Sequence, residues 1–304
     1  MMVEDRLSSL SDELIHKILS CFDIKFVVQT CLLSSRWEYL WTSMPCLNFS
    51  SFSPLPKFAK FVTNVLSHRN HQVEVSSIEL DFHGGASQVF VKNIAKGIVL
   101  CDDLFSMCVN LKNLTLRCFS VKVAVEVFDI VTPQLSNLTL ISGFHLNVIN
   151  LIAPQLENLT IVNCSIKYLN APPGLSSLSY SDYRPPMQLS KDRFHSLNKV
   201  NICLYLLHGL TYEDACKTIN MLQELHSARY LTLNSNIIEC IFSFPDSLLH
   251  NPPPFSNLNC LTIIDSNMKK DAYKVKMSTE VKNLFLKNSP SATLIMKLPE
   301  VLLS

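Results

Sequence analysis

Apolar residues along most of this chain recur in one spacing, L-x-x-L-x-L. Two copies nearly duplicate each other: PQLSNLTLISG at 133–143 and PQLENLTIVNC at 154–164, an offset of 21 residues. The same frame is carried by Leu111, Leu114 and Leu116, by Leu175, Leu178 and Tyr180, and by Leu197, Val200 and Ile202. It returns as Leu231 and Leu233, as Leu258, Leu261 and Ile263, and as Val281, Leu284 and Leu286; Val75, Ile78 and Leu80 form a weaker early copy. Inside each frame apolar and polar positions alternate, the period of a strand with one buried face. Between the second anchors, from Leu114 to Leu284, the steps are 24, 21, 19, 22, 31, 30 and 23. The two long steps predict insertions. One contains LTYEDACKTINMLQELH, where Ala215, Ile219, Leu222 and Leu225 come round at helical spacing.

A strand and its return segment cannot bury an apolar face alone, so such units stack, with strands in parallel and leucines interlocked behind them. Steps of this length are those of a leucine-rich-repeat solenoid. The slot after each frame usually holds Asn or Cys, and Cys164 and Asn236 fit it. Gly143, Phe119, Tyr183, Tyr205 and Ser266 do not, so the solenoid is expected to be irregular. The variable positions between the leucines point to the strand-side, concave face. In the central repeats these are Ser136, Asn137, Thr139, Glu157, Asn158, Thr160, Ser176, Ser177 and Ser179, the candidate target-binding residues. At any single one of them a merely solvated strand face is an equal reading.

The N-terminus has a different period. In LSSLSDELIHKILSCF, Leu10, Leu14, Ile18 and Phe22 fall four apart, with Ile15 and Leu19 widening the stripe. Ser11 suits the N-cap, and Asp12 and Glu13 sit where the helix dipole favours negative charge. A second helix is predicted from Lys25 to Leu33. A third is predicted over RWEYLWTSM, carrying Trp37, Leu40, Trp41 and Met44 and stopped by Pro45. The two tryptophans, Trp37 and Trp41, are the chain's only ones, and on such a helix they share a face. These helices hold more large apolar side chains than so small a unit can hide, which predicts a partner surface.

Three stretches, L-S-D-E-L-I-H-K-I-L-S, V-V-Q-T-C-L-L-S-S-R-W-E-Y-L-W and P-C-L-N-F, together spanning residues 5–49, resemble an F-box. More closely, they are similar to the plant F-box/leucine-rich-repeat proteins of the FBD-associated type. Ser11 stands where the family usually has Pro, a departure that a helix start tolerates. The resemblance implies docking on a Skp-type adaptor and, through it, a cullin–RING ubiquitin ligase. It implies an adaptor face of Leu10, Leu14, Ile18, Leu19, Val28, Leu32, Leu33, Trp37, Leu40 and Trp41, some of which could instead fill the unit's own core. The expected fold is α/β: a three-helix F-box over 1–50, a linker and connecting helix over 51–74, and an irregular leucine-rich-repeat solenoid with parallel strands over 75–304. The connecting helix is read from Phe58, Phe61, Val62, Val65 and Leu66 at helical spacing. Relatives often continue into a further C-terminal module. This chain stops at KNSPSATLIMKLPEVLLS, so that module is expected to be missing or vestigial.

Composition narrows the function. Hydrophobic residues make up 48% of the chain, enough for a large core, and net charge is +1 with 17% charged residues. That balance disfavours a general nucleic-acid binder, which needs a concentrated basic surface. Lys269, Lys270, Lys274 and Lys276 read as a solvated face. No apolar run approaches the ~18 residues of a membrane span. Without a signal-like N-terminus, the eleven Cys, with no CxxC pair, are expected to be reduced thiols in the cytoplasm or nucleus. For the same reason the five sequons, at Asn48, Asn113, Asn137, Asn158 and Asn163, are discounted as glycosylation sites.

Little points to catalysis. There are six Gly and no phosphate-cradling loop, nucleophile elbow or paired metal-ligand spacing. No cofactor or metal is expected, and His68 and His71 read as a solvated helix end. The leading expectation is a non-catalytic substrate receptor of an SCF-type ligase. The runner-up is a repeat-protein interaction module that no longer engages the ligase. A third class, an enzyme with a Cys nucleophile, requires an exposed thiol of low pKa.

Overall fold

The computed structural model describes residues 9–50, 55–82, 108–119, 126–164, 166–183, 188–190, 194–205, 211–246, 255–265, 279 and 281–297. Its helices are α1 (Asp12–Leu19), α2 (Ile24–Gln29), α3 (Leu55–Ser67), α4 (Tyr212–Glu224) and α5 (Ser235–Ser243). Its strands are β1 (Cys46–Ser50), β2 (Ser77–Asp81), β3 (Asn113–Arg117), β4 (Val127–Val131), β5 (Asn137–Ile141), β6 (Leu146–Ile152) and β7 (Asn158–Val162). They continue as β8 (Ile166–Asn170), β9 (Ser177–Asp182), β10 (Gln188–Leu189), β11 (Lys199–Leu204), β12 (Tyr230–Asn234), β13 (Cys260–Ile264) and β14 (Thr293–Lys297). The fold is mixed α/β, with helices first and parallel repeat strands after, as expected. The chain divides into two compact units, 1–125 with 131–145, and 126–130 with 146–304. Among the described residues no helix is long and apolar enough to cross a membrane.

In the first unit, Ser11 caps α1 as its sequence position predicts, its hydroxyl accepting from the Leu14 N–H. Asp23 caps α2 by accepting from the Lys25 N–H at 2.7 Å. The second helix is shorter than predicted: α2 ends at Gln29 and passes into a 3₁₀ turn over Thr30–Leu32. The third predicted helix is not an α-helix. Residues 35–39 are turns, and only Leu40–Ser43 forms a helix, of the 3₁₀ kind. The N–H groups of Trp37, Thr42 and Met44 bond carbonyls three residues back, on Ser34, Tyr39 and Trp41. The helix on which the two indoles would share a face is therefore not formed, and Trp37 is buried while Trp41 is half-buried.

The small apolar core of these helices holds Ile15, Leu19, Ile24, Val27, Trp37, Leu40 and Met44. It is fastened to β1 by polar contacts. Asn48 donates to the Ser20 carbonyl at 2.7 Å, and Asp23 accepts from Ser50. The α3 helix covers β1 and β2 with edge-to-face ring pairs, Phe49 with Phe61 and Phe58 with Phe82. Just past α3, the buried Arg69 donates to the Met44 carbonyl at 2.5 Å.

The first unit's strands run in the order β1, β2, β3, β5, all parallel. Leu47, Ile78, Leu114 and Leu138 form one buried row across them, and Phe49, Leu80, Leu116 and Leu140 a second. The repeat sheet thus begins inside the F-box segment, at β1. Cys118 and Ser142, each one residue past its strand, both have φ of 53°, so successive repeats turn through the same left-handed residue.

In the second unit β7, β9, β11, β12, β13 and β14 pair in that order, parallel and in register. Leu159, Leu178, Val200, Leu231 and Leu261 make one buried row, and Ile161, Tyr180, Ile202, Leu233 and Ile263 another. The frame called at Val281, Leu284 and Leu286 is corrected. Residues 281–285 are helical, with Val281 and Phe285 buried four apart, and the last strand among the described residues is TLIMK at 293–297.

The return segments are ordered too. In this unit β4, β6, β8 and β10 form a second sheet, in which β6, β8 and β10 run parallel. Its exposed side carries a polar ladder, in which Asn170 donates to Asn150 and Asn150 to Asp129, each at 2.8 Å. Short repeats leave few residues for a return, and a strand spans distance faster than a helix does. The two long steps have room for helices. The predicted insertion helix is α4, with a capping box between Thr211 and Asp214 and with Ala215, Ile219 and Leu222 buried.

Candidate functional site

The residues expected at the adaptor face separate into two groups. Leu14 is 51% exposed, Ile18 46%, Leu32 85% and Leu33 63%. Leu14 and Ile18, one turn apart, lie on the same side of α1. Leu10, Val28 and Trp41 are half-buried. Leu19, Trp37 and Leu40 are buried inside the unit, with Trp37 only 6% exposed, in the core role that the sequence left open for some of this set. Their apolar character was legible, but not which side of the small core they would close. His16 explains part of it. Its Nε2 lies 3.0 Å from the Leu40 carbonyl, tying the 3₁₀ turn to α1 beside the buried Leu40.

Three exposed residues were missed as surface candidates: Phe22, Phe26 and Tyr39. Phe22 extends the four-residue spacing of Leu10, Leu14 and Ile18, but α1 ends at Leu19 and leaves it at the surface. Phe26 stands on α2 beside the buried Ile24 and Val27, and the helical period could have flagged it. From Leu14 to Leu33, six large apolar side chains are therefore at least 46% exposed. A monomer in water rarely leaves so much apolar surface open without a use for it. Arg36 braces the start of α1, donating to the Leu10 carbonyl at 2.5 Å and pairing with Asp12 at 2.7 Å.

The strand face is polar in both units. In the first, Asn137 and Thr139 lie on the outward side of β5, and the Asn137 amide donates to Asn113 at 2.7 Å. On the same side of β2 and β3, Glu79 and Arg117 form an ion pair at 2.5 Å. In the second, Asn158 lies beside Ser177 and Thr160 beside Ser179, so these four candidates are brought together in register. Ser136, Glu157 and Ser176 precede their strands. They act there through the backbone: the Glu157 carbonyl accepts from both Ser176 and Ser177 at 2.9 Å. Two exposed tyrosines, Tyr183 and Tyr205, were set aside in the sequence as misfits. Their rings lie 5.4 Å apart at the ends of β9 and β11.

Cys164 is fully buried, its thiol donating to the Val162 carbonyl. Asn236 donates to the Leu204 carbonyl at 2.9 Å, but Asn234, which the frame did not single out, holds the same turn more completely. The thiols of Cys108, Cys118, Cys203 and Cys240 are all pushed up from their ordinary value, chiefly by burial. A thiol nucleophile needs the opposite shift. Among the described residues no group of His, Cys, Asp and Glu is arranged to hold a metal ion. The basic stretch around Lys269 to Lys276 lies outside the described residues.

Comparison with known proteins agrees with the N-terminal geometry. Residues 7–49 match the F-box domain, so the chain carries one at its N-terminus. An F-box/FBD/LRR-repeat protein of Arabidopsis thaliana is 39% identical over 80 residues, 25% of this chain and 19% of that protein. An F-box/LRR-repeat protein of the same plant is 34% identical over 122 residues, 38% of this chain and 32% of that one. A putative F-box/FBD/LRR-repeat protein, also from Arabidopsis thaliana, is 42% identical over 72 residues, 22% of this chain and 14% of its own length. The matched stretch thus spans no more than about a third of these relatives.

Proposed function

We propose, from the F-box domain that this chain carries, that it is the substrate-recognition subunit of an SCF-type cullin–RING ubiquitin ligase. The domain docks on a Skp-type adaptor, and the repeat strands bind the protein to be ubiquitinated. The carrying observation is the set of exposed apolar side chains on the N-terminal helices: Leu14, Ile18, Phe22, Phe26, Leu32 and Leu33. Burying even one large apolar side chain contributes about 1.5–3 kcal/mol, so a partner that covers several gains a large driving force. The chain itself makes and breaks no bonds in this reading. It raises the effective concentration of target lysines near a ubiquitin-loaded conjugating enzyme. The outward side chains of β5, β7 and β9, mostly Ser, Thr and Asn, would supply hydrogen bonds to the target.

The test is co-purification of the full chain with a Skp-type adaptor, wild type beside a Leu14→Glu, Leu32→Glu double variant. Both positions are at least half exposed, so the variant keeps the fold while placing charge in the proposed interface. Adaptor retention by the wild type and its loss in a folded variant is the expected outcome. If the adaptor passes over the wild type as well, the ligase reading fails, and the runner-up, a free-standing repeat binder, takes its place.

A further inference from the structure

In the larger sheet of the second unit, β14 pairs with β13 only. The N–H and C=O groups of a strand address its two edges alternately, residue by residue. The Thr293 N–H donates to the Asn259 carbonyl, and the Lys297 carbonyl accepts from the Asp265 N–H, both at 2.9 Å. Thr293, Ile295 and Lys297 therefore face β13. The N–H and C=O groups of Leu294 and Met296 face the other edge, where no strand among the described residues pairs with them.

The side chains at this edge are unfinished in the same way. Leu294 continues the row of Leu261, and Met296 that of Ile263. Leu261 and Ile263 are fully buried, whereas Leu294 and Met296 are only half-buried. Beside Leu294 lies a cavity of about 790 Å³, lined also by Leu286, Pro290, Asn283 and the exposed lysines Lys282 and Lys287. Among the described residues no carboxylate lines it, and a third cation, Lys297, ends the strand.

We propose that the open edge of β14 receives an extended, acidic peptide segment of a partner protein as an added strand. Such a strand would take up the four backbone groups of Leu294 and Met296. Its apolar residues would cover Leu294 and Met296, and its carboxylates would offset Lys282, Lys287 and Lys297. Pairing at a free sheet edge draws affinity from main-chain hydrogen bonds and selectivity from the flanking side chains. The lysines decide the occupant. A second copy of this chain would bring the same cations to the shared edge, with no carboxylate among the described lining residues to oppose them. This site is separate from the ligase reading and stands whether or not the adaptor binds.

The test uses the full chain and a short fluorescein-labelled peptide of alternating valine and glutamate, with its valine–lysine counterpart as control. Fluorescence anisotropy should report binding of the acidic peptide only, weakening as salt is raised. Lys282→Glu with Lys287→Glu should weaken it at least tenfold. So should Met296→Pro, which deletes an N–H facing the open edge while leaving the bonds to β13, and which edge strands tolerate. Circular dichroism establishes that each variant is folded. The proposal is overturned if the acidic peptide fails to bind, or if Met296→Pro leaves binding unchanged. It is also overturned if the amides of Leu294 and Met296 already exchange slowly in the peptide-free chain, because the edge is then occupied from within or by a second copy.

Discussion

Asp23 holds Ser50 through both of that residue's donors: one carboxylate oxygen accepts from the Ser50 N–H at 2.5 Å and from its hydroxyl at 2.7 Å. The other oxygen caps α2 at the Lys25 N–H. A single side chain thus ties the second helix to β1, the strand on which the first unit's sheet is built. Asp23→Ala removes a helix cap and leaves part-buried donors unpaired, so a loss of about 2–3 kcal/mol is expected in urea unfolding. Asp23→Asn keeps acceptor oxygen and should recover part of it. A loss within about 0.5 kcal/mol, the scatter of ordinary surface substitutions, would show that α2 and β1 are held by apolar packing instead.

Asn234 makes a comparable closure deep in the second unit. Its amide oxygen accepts from the Leu204 N–H at 3.2 Å and its amide nitrogen donates to the Leu204 carbonyl at 2.8 Å. Asn236 donates to the same carbonyl, so Asn234→Ala orphans chiefly the buried Leu204 N–H. The expected cost is about 1–3 kcal/mol, the penalty of one buried unsatisfied donor. Asn236→Ala should cost less. Thermal unfolding of the two variants side by side checks the order, and a reversed order would contradict the assignment.

Trp37 and Leu32 should behave differently from each other. Trp37 is buried, and Trp37→Ala is expected to lose about 3–5 kcal/mol of stability with or without an adaptor present. Leu32 is 85% exposed, so Leu32→Ala should leave unfolding unchanged and act only on adaptor binding. The paired measurement is denaturant unfolding of the free chain and titration calorimetry with the adaptor. Equal destabilisation by both variants would contradict the separation of core from surface.

Stability should decline at alkaline pH through Cys240. Burial pushes its thiol up from the ordinary 9.0 to about 11; the Thr218 hydroxyl opposes this, and the Asp214 charge adds to it. Between those two values the unfolded thiol ionises while the folded one stays protonated. The unfolded state then binds fewer protons, and stability falls as pH rises. Below pH 9 the contribution is constant. Urea midpoints from pH 8 to 11 should drop in the wild type and drop less in Cys240→Ala. Parallel slopes would place the alkaline sensitivity elsewhere.

Short-range alternation made part of this fold legible from the residues alone. Leu114 and Leu116, Leu138 and Leu140, and Leu159 and Ile161 announce their strands because a side chain two residues on faces the same way, whatever lies behind it. The Ser11 cap and the α4 stripe are local in the same sense. Which surfaces these elements would close was decided by tertiary structure. The indoles of Trp37 and Trp41 were indistinguishable by spacing, and packing buried one and left the other half-buried. Phe22 looks like a core residue, and the early end of α1 leaves it outside, while Phe26 stands on α2 away from the buried Ile24 and Val27. VKNLFL and TLIMK both satisfy a strand's alternation, but only the second lies in register with β13, while Val281 and Phe285 also satisfy a helix. The return strands β4, β6, β8 and β10 owe their form to the length of each repeat and to the neighbour they pair with. Burial and pairing depend on residues distant in the chain, and no local pattern carries that information.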